Sequence, residues 1–281
     1  MLVICQYICD MNASRASVSD LIGDRPLTAR SVLASALLGA DQPVLPVAVL
    51  VAAASLFGIS AGAARTCLWR MVSDGELTSD NGTYALAGHL LERRHRVDDA
   101  ARADDATARR WDGTWELAVV SLERRPASDR LELRKAARAL HLAEIREGVW
   151  IRPDNLDPDR LPTSRLVLDA QCVHFHCAAA DLAAGTVAAL FSLDRWAHDA
   201  RRLALAMEDE LHCAADEAAD MSATLTYEFA LSISVVRHLE LDPLLPVALL
   251  PGQWPASQLR ATYRRFDKAF KQRMNRASRP S

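Results

Sequence analysis

The sequence lacks the cysteine pattern of a secreted or zinc-bound domain. Cys5, Cys9, Cys67, Cys172, Cys177 and Cys213 show neither the close pairing of a zinc ribbon nor the density of a small disulfide scaffold. We read them as reduced thiols of a cytoplasmic protein, several of them in the core. No secretory leader is expected either, because Leu2-Val3-Ile4 has no basic residues before it and no convincing cleavage site after it. No run is both long and uninterrupted enough to span a bilayer. The uncharged stretch from Gln42 to Ala64 is broken by Pro43, Pro46, Gly58 and Gly62. Its dense part, Val44 to Ile59, reads as a buried helix and turn, so no membrane partner is expected. Catalytic signatures are also absent: there is no glycine-rich phosphate loop, nucleophile elbow or His-Glu-x-x-His. No enzymatic activity and no required cofactor are expected. Finally, there is no excess of positive charge, since 33 Lys and Arg face 36 Asp and Glu. Any binding of nucleic acid must therefore rest on local basic character.

What the chain does have is 281 residues, half of them apolar, enough for two or three compact domains. The most informative stretch is Gly58 to Gly75. Gly58 and Ile59 form a short turn after an apolar helix, Ser60 is a good N-cap, and Gly75 is a good stop. Ala64, Cys67, Leu68, Met71 and Val72 recur at helical spacing and predict a core-facing side. Gly62, Arg65, Thr66, Trp69 and Arg70 are left on or near the opposite face. Arginine suits bidentate contact with guanine, threonine suits a base edge or phosphate, and glycine lets a backbone approach DNA closely. Glu76-Leu77-Thr78-Ser79 and Thr83-Tyr84-Ala85-Leu86 then read as two short strands joined through Asp80-Asn81-Gly82, and Asn-Gly is a strong hairpin signal. Two further helices precede this stretch. Thr28 caps one that runs to Gly39, and Pro46 stands at the first turn of another that runs to Gly58. Helix, helix, turn, helix and tight hairpin is the order of a winged helix-turn-helix, predicted over residues 27–87. Its DNA-facing candidates are Ser60, Gly62, Arg65, Thr66, Trp69, Arg70 and Asn81.

Residues 1–26 are set apart as an N-terminal extension with no structure assigned. Residues 88–110, rich in alanine and in opposite charges three and four apart, read as a helical connector. From Trp111 to residue 182 the pattern alternates. A strand is expected from Trp115 to Ser121, a helix from Ser128 to Leu142, and further strands at Gly148–Arg152, Leu166–Leu168 and Cys172–Cys177. This is the composition of a small ferredoxin-like α+β domain. Residues 183–281 predict a helical C-terminal domain, with helices at Leu193–Ala219 and Met221–Glu240. A proline-punctuated apolar segment, Leu241 to Pro255, follows and cannot be one helix. The final helix is basic, with Arg260, Arg264, Arg265, Lys268, Lys271, Arg273, Arg276 and Arg279 against a single Asp267. The predicted fold class is α+β, mostly α.

Several of these motifs together resemble the PaaX-like family of bacterial repressors. They are Gly58-Ile59-Ser60 with Ala64-Arg65-Thr66 and Arg70 to Gly75; Trp111-Asp112-Gly113-Thr114-Trp115; Gly148-Val149-Trp150-Ile151-Arg152-Pro153; and Asp242-Pro243-Leu244-Leu245-Pro246 with Leu249-Leu250-Pro251 and Trp254-Pro255. The resemblance runs from about Arg30 to Phe270. It implies a transcriptional regulator with a winged helix, a middle domain similar to ferredoxin-like CRISPR-associated nucleases, and a helical C-terminal domain. It also implies a homodimer on palindromic double-stranded DNA, released by an aryl-acyl-CoA effector. The DNA role carries over to Arg65, Thr66 and Arg70; no effector motif can be matched to positions here. A different class of function comes from Cys172, His174 and His176, which alternate along one strand and carry donors that suit zinc, the pattern of a metal-binding protein or metalloenzyme. A nuclease reading finds no convincingly placed acidic residue.

Overall fold

The computed structural model describes residues 17, 20–21, 28–102, 110–122, 124–178, 182–213 and 221–277. The expected extension 1–26 lies almost wholly outside them, as does Arg279. In chain order the N-terminal elements are α1 (Ala29–Gly39), β1 (Val44–Pro46), α2 (Val47–Ser55), α3 (Ala61–Ser73), β2 (Leu77–Asp80), β3 (Thr83–Leu86) and α4 (Gly88–Arg102). Next come β4 (Thr114–Val120), α5 (Ala127–Ala139), β5 (Ala143–Arg146), β6 (Val149–Pro153), α6 (Pro162–Asp169) and β7 (Cys172–Ala178). The remainder is α7 (Ala184–Leu190), α8 (Leu193–Cys213), α9 (Met221–Leu239) and α10 (Ala256–Ala277). The fold is thus mixed helix and sheet, mostly helical. It divides into two compact units, one of Met1–Arg94, Ala200–Arg237 and Gln258–Ser281, the other of His95–Asp199 and His238–Ser257.

In the first unit, local sequence accounts for the starts of α1 and α3 and for the end of α3. The Thr28 side chain accepts from the Ser31 amide to start α1, and Ser60 accepts from the Ala63 amide to start α3. Gly75, at φ +73°, closes the end of α3. The hairpin β2–β3 turns at Asn81 and Gly82, both at positive φ, as its tight turn requires. Leu33, Leu37, Leu50, Ala64, Leu68, Met71, Leu77 and Leu86 form the core. β1 adds a third strand antiparallel to β3, in the order β1-β3-β2. The sequence reading carried α2 to Gly58 and assigned no strand at Val44; the helix ends at Ser55. A second cluster in this unit packs Phe229 and Phe270, from α9 and α10, with Val32, Leu56, Phe57 and Ile59.

In the second unit, β4-α5-β5-β6-α6-β7 builds an antiparallel sheet in the order β5-β6-β4-β7, the ferredoxin-like arrangement. Two expectations are corrected here. Leu166-Val167-Leu168 is not a strand but part of α6, where only Leu168 is fully buried and Leu166 stays exposed. The second strand of the motif is β5, four residues to which the sequence analysis assigned no element. Helices α5 and α6 cover one face of the sheet, with Leu133, Ala137, Ala118, Trp150, Leu168 and Cys172 between them. Trp115 and Ile151 on the other face pack with Val187, Leu193 and Leu245.

Candidate nucleic-acid interface

Helix α3 sorts its residues cleanly. Ala64, Leu68 and Met71 are buried, with Cys67 and Val72 half-buried beside them. Gly62, Arg65, Thr66, Trp69 and Arg70 are all exposed and share an arc of about 140° on the opposite side. Ser60 caps the same helix, and Asn81 is exposed at the hairpin turn. Trp69 leaves 69% of its surface in water, an unusual exposure for a large aromatic ring. Helix α3 contains no acidic residue. Among the described residues, no hydrogen bond or ion pair engages the side chains of Arg65 or Arg70.

Local charge is more favourable than the composition suggests. Between Thr28 and Ala87 the acidic residues are Asp41, Asp74, Glu76 and Asp80. Arg30 donates from Nε to Glu76 at 2.9 Å and from Nη2 to Asp74 at 3.0 Å. Lys271 donates to Asp41 at 2.7 Å. The hydrogen bond from Lys271, and then its charge, holds the Asp41 carboxyl below the usual range. Three of the four acids thus engage neighbouring cations, Arg30 serving two of them, and none of these contacts involves Arg65 or Arg70.

The second place of chemical interest lies under α6 in the other unit. A cavity of about 330 Å³ is lined by Glu116, Arg152, Asp154, Arg165, His174 and His176, among others. Its charges engage one another. Arg165 forms a two-pronged pair with Glu116. His174 places Nδ1 3.2 Å from Glu116 and Nε2 3.0 Å from Asp169, and His176 Nδ1 lies 3.1 Å from Asp154. Burial alone would raise the Glu116 pKa, but the hydrogen bond and charge of Arg165, with His174 and Arg152 adding to them, hold it below the usual carboxylate range.

The metal reading of Cys172, His174 and His176 does not survive this geometry. The three do share a sheet face, as the alternation predicted, but positions i and i+4 of a strand stand about 13 Å apart, far beyond what ligands at about 2.0–2.3 Å from one ion allow. Cys172 is packed in the core, and both imidazoles already face carboxylates. Among the described residues, no group of three or more His, Cys, Asp or Glu could hold a metal ion. Cys67, Cys172 and Cys177 are free thiols. Among the described residues, no helix is long and apolar enough to cross a membrane.

One cluster escaped sequence reasoning altogether. Arg152, 2% exposed, donates to the carbonyls of Leu140 and Pro153 and to the Asn155 side chain at 2.8–3.0 Å. Asn155 in turn donates to the Leu244 carbonyl at 2.9 Å, and Asp242 accepts from the Leu244 amide. Burial, reinforced by nearby Arg160, pulls the Arg152 pKa down to about 9. The motifs around Gly148–Pro153 and Asp242–Pro246 are thus two halves of one structural lock. A charged residue inside an otherwise apolar strand was the available signal.

Residues 108–184 match a family model described as the PaaX protein central Cas2-like domain. A solved structure, titled uncharacterized protein Rv0674 from Mycobacterium tuberculosis, is similar over 90% of this chain and 99% of its own length, at 34% identity and a TM-score of 0.63. No curated protein matches the sequence. The class is set by the helical N-terminal unit with its exposed arginine helix, joined to a ferredoxin-like sheet. Within that class, the chain belongs to the PaaX-like family.

Proposed function

We propose that the protein is a DNA-binding transcriptional regulator, a cytoplasmic repressor that acts as a homodimer on a palindromic operator. On this reading α1 to β3 form a winged helix-turn-helix, α3 is its recognition helix, and Asn81 lies at the tip of its wing. The observation that carries the proposal is the acid-free face of α3, where Gly62, Arg65, Thr66, Trp69 and Arg70 are exposed on a helix whose other side is locked in the core. Membership of the PaaX-like family supports it independently. Arg65 reads a base edge, Thr66 a base or phosphate, and Arg70 and Trp69 the backbone beside them. A dimer presents two such helices to half-sites one DNA turn, about 34 Å, or a multiple of it apart.

The family resemblance also suggests the release signal, an acyl-CoA thioester that favours a dimer geometry mismatched to the half-sites. Footprinting on DNA upstream of the gene tests both parts. The expected result is a protected inverted repeat whose protection disappears as one of a set of acyl-CoA thioesters is titrated in. Uniform, sequence-independent protection would refute the regulator reading. A specific footprint indifferent to every thioester would remove the effector and leave the regulator.

A further inference from the structure

A winged helix with only Arg65 and Arg70 on its reading face is short of phosphate contacts, which supply most of the affinity of DNA-binding proteins. The structure brings a second basic element to the same compact unit. Helix α10 packs Phe270 and Met274 with Leu56, Phe57 and Ile59, the residues that lead into the Ser60 cap of α3. It is tied down further by Lys271, which bonds Asp41, and by Arg273, whose Nε donates to the buried Glu228 at 3.0 Å. Burial alone would lower the Lys271 pKa, but hydrogen bonds to Asp267 and Asp41 outweigh it and keep the ammonium charged. With its inner side committed in this way, α10 turns Arg264, Lys268, Gln272 and Arg276 outward, all exposed. Among the described residues no acid pairs with Arg264, Lys268 or Arg276. The one acid within the helix, Asp267, is half-buried and paired with Lys271.

We propose that Arg264, Lys268 and Arg276 of α10 form a phosphate-binding rail that extends the DNA contact of α3 along the duplex backbone. This rests on the regulator reading above and names the part of the chain that supplies its missing charge. From Arg264 to Arg276 the rail is about 18 Å long, enough to follow one strand over several phosphates spaced about 3.4 Å along the duplex axis. Met274, two residues before Arg276, packs against the cluster that includes Leu56, Phe57 and Ile59, so the C-terminal end of α10 lies near the turn that opens the recognition helix. Contacts of this kind position the protein and carry no sequence information.

The test uses the full chain and two duplexes, one from the upstream region and one scrambled, with affinity measured across a salt series. Replacing Arg264, Lys268 and Arg276 together by Ala is expected to reduce the slope of log affinity against log salt by about 2.7, at about 0.9 per lost contact. Both duplexes should weaken alike, so that the ratio between them holds. Arg276→Ala alone should lower the slope by about 0.9 and answers the question even if the triple variant folds poorly. An unchanged slope in a folded variant overturns the rail while the regulator reading stands. If the wild type binds neither duplex, the reading and the rail fall together.

Discussion

Arg65 and Glu116 show how differently two charged residues serve this chain. Arg65 is exposed on α3 and does nothing for the fold, so Arg65→Ala should leave the melting temperature unchanged. If it reads a base, the same change should weaken specific binding by about 1–3 kcal/mol and random binding much less. Equal losses on both duplexes would reduce it to a phosphate contact. Glu116, in contrast, is 5% exposed and pairs with Arg165 and His174. Its folded pKa lies below that of the unfolded chain, near 4.3. The stabilisation it brings is therefore fully present above that unfolded value and is lost as pH falls through the folded one. Glu116→Gln should destabilise the protein by about 3 kcal/mol at neutral pH, the low end for a broken buried pair because Arg165 keeps some contact with water. In thermal melts the gap from wild type should close towards pH 3. A gap constant from pH 7 to pH 3 would show that the ion pair is not the source.

At the scale of elements, the backbone at the junction of α3, the hairpin and α4 makes a close approach. Gly88 has φ +49°, and a Cβ placed on it would lie 2.7 Å from the Gly75 carbonyl oxygen. Gly88→Ala should therefore cost about 2 kcal/mol of stability through backbone strain and collision, readable as a lower denaturant midpoint, and an unchanged midpoint would show that the junction yields. Elements with a local code were legible in the sequence: Ser60, Gly75 and Asn81-Gly82 placed α3 and its hairpin from capping and turn chemistry alone. β1 was not legible, because three residues beside a proline become a strand only by pairing with β3. Leu166-Val167-Leu168 misled for a related reason. In an eight-residue helix a run of three apolar residues looks like a strand, and only packing under the sheet decides. The candidate DNA face could be read from helical spacing, whereas the Arg152–Asn155–Leu244 lock joins residues 89 positions apart, and a charged Arg152 in an apolar strand says nothing of its distant partner.

For the whole molecule, a net charge of -3 argued against nucleic acid, and the fold accounts for that sign without excluding a basic face. Asp74, Glu76 and Asp41 engage Arg30 and Lys271, and the basic helix α10 belongs to the same unit as α3. The distribution of charge, more than its sum, sets what the molecule can approach. The most direct test of the central claim, that α3 reads DNA, is the ratio of affinities for the upstream duplex and a scrambled one. It should be measured by fluorescence anisotropy near physiological salt, in the wild type and in the Arg65→Ala, Arg70→Ala double variant. The account predicts a wild-type ratio of at least about a thousand that collapses towards one in the variant. A wild-type ratio near one, or a large ratio that the variant retains in full, would contradict it.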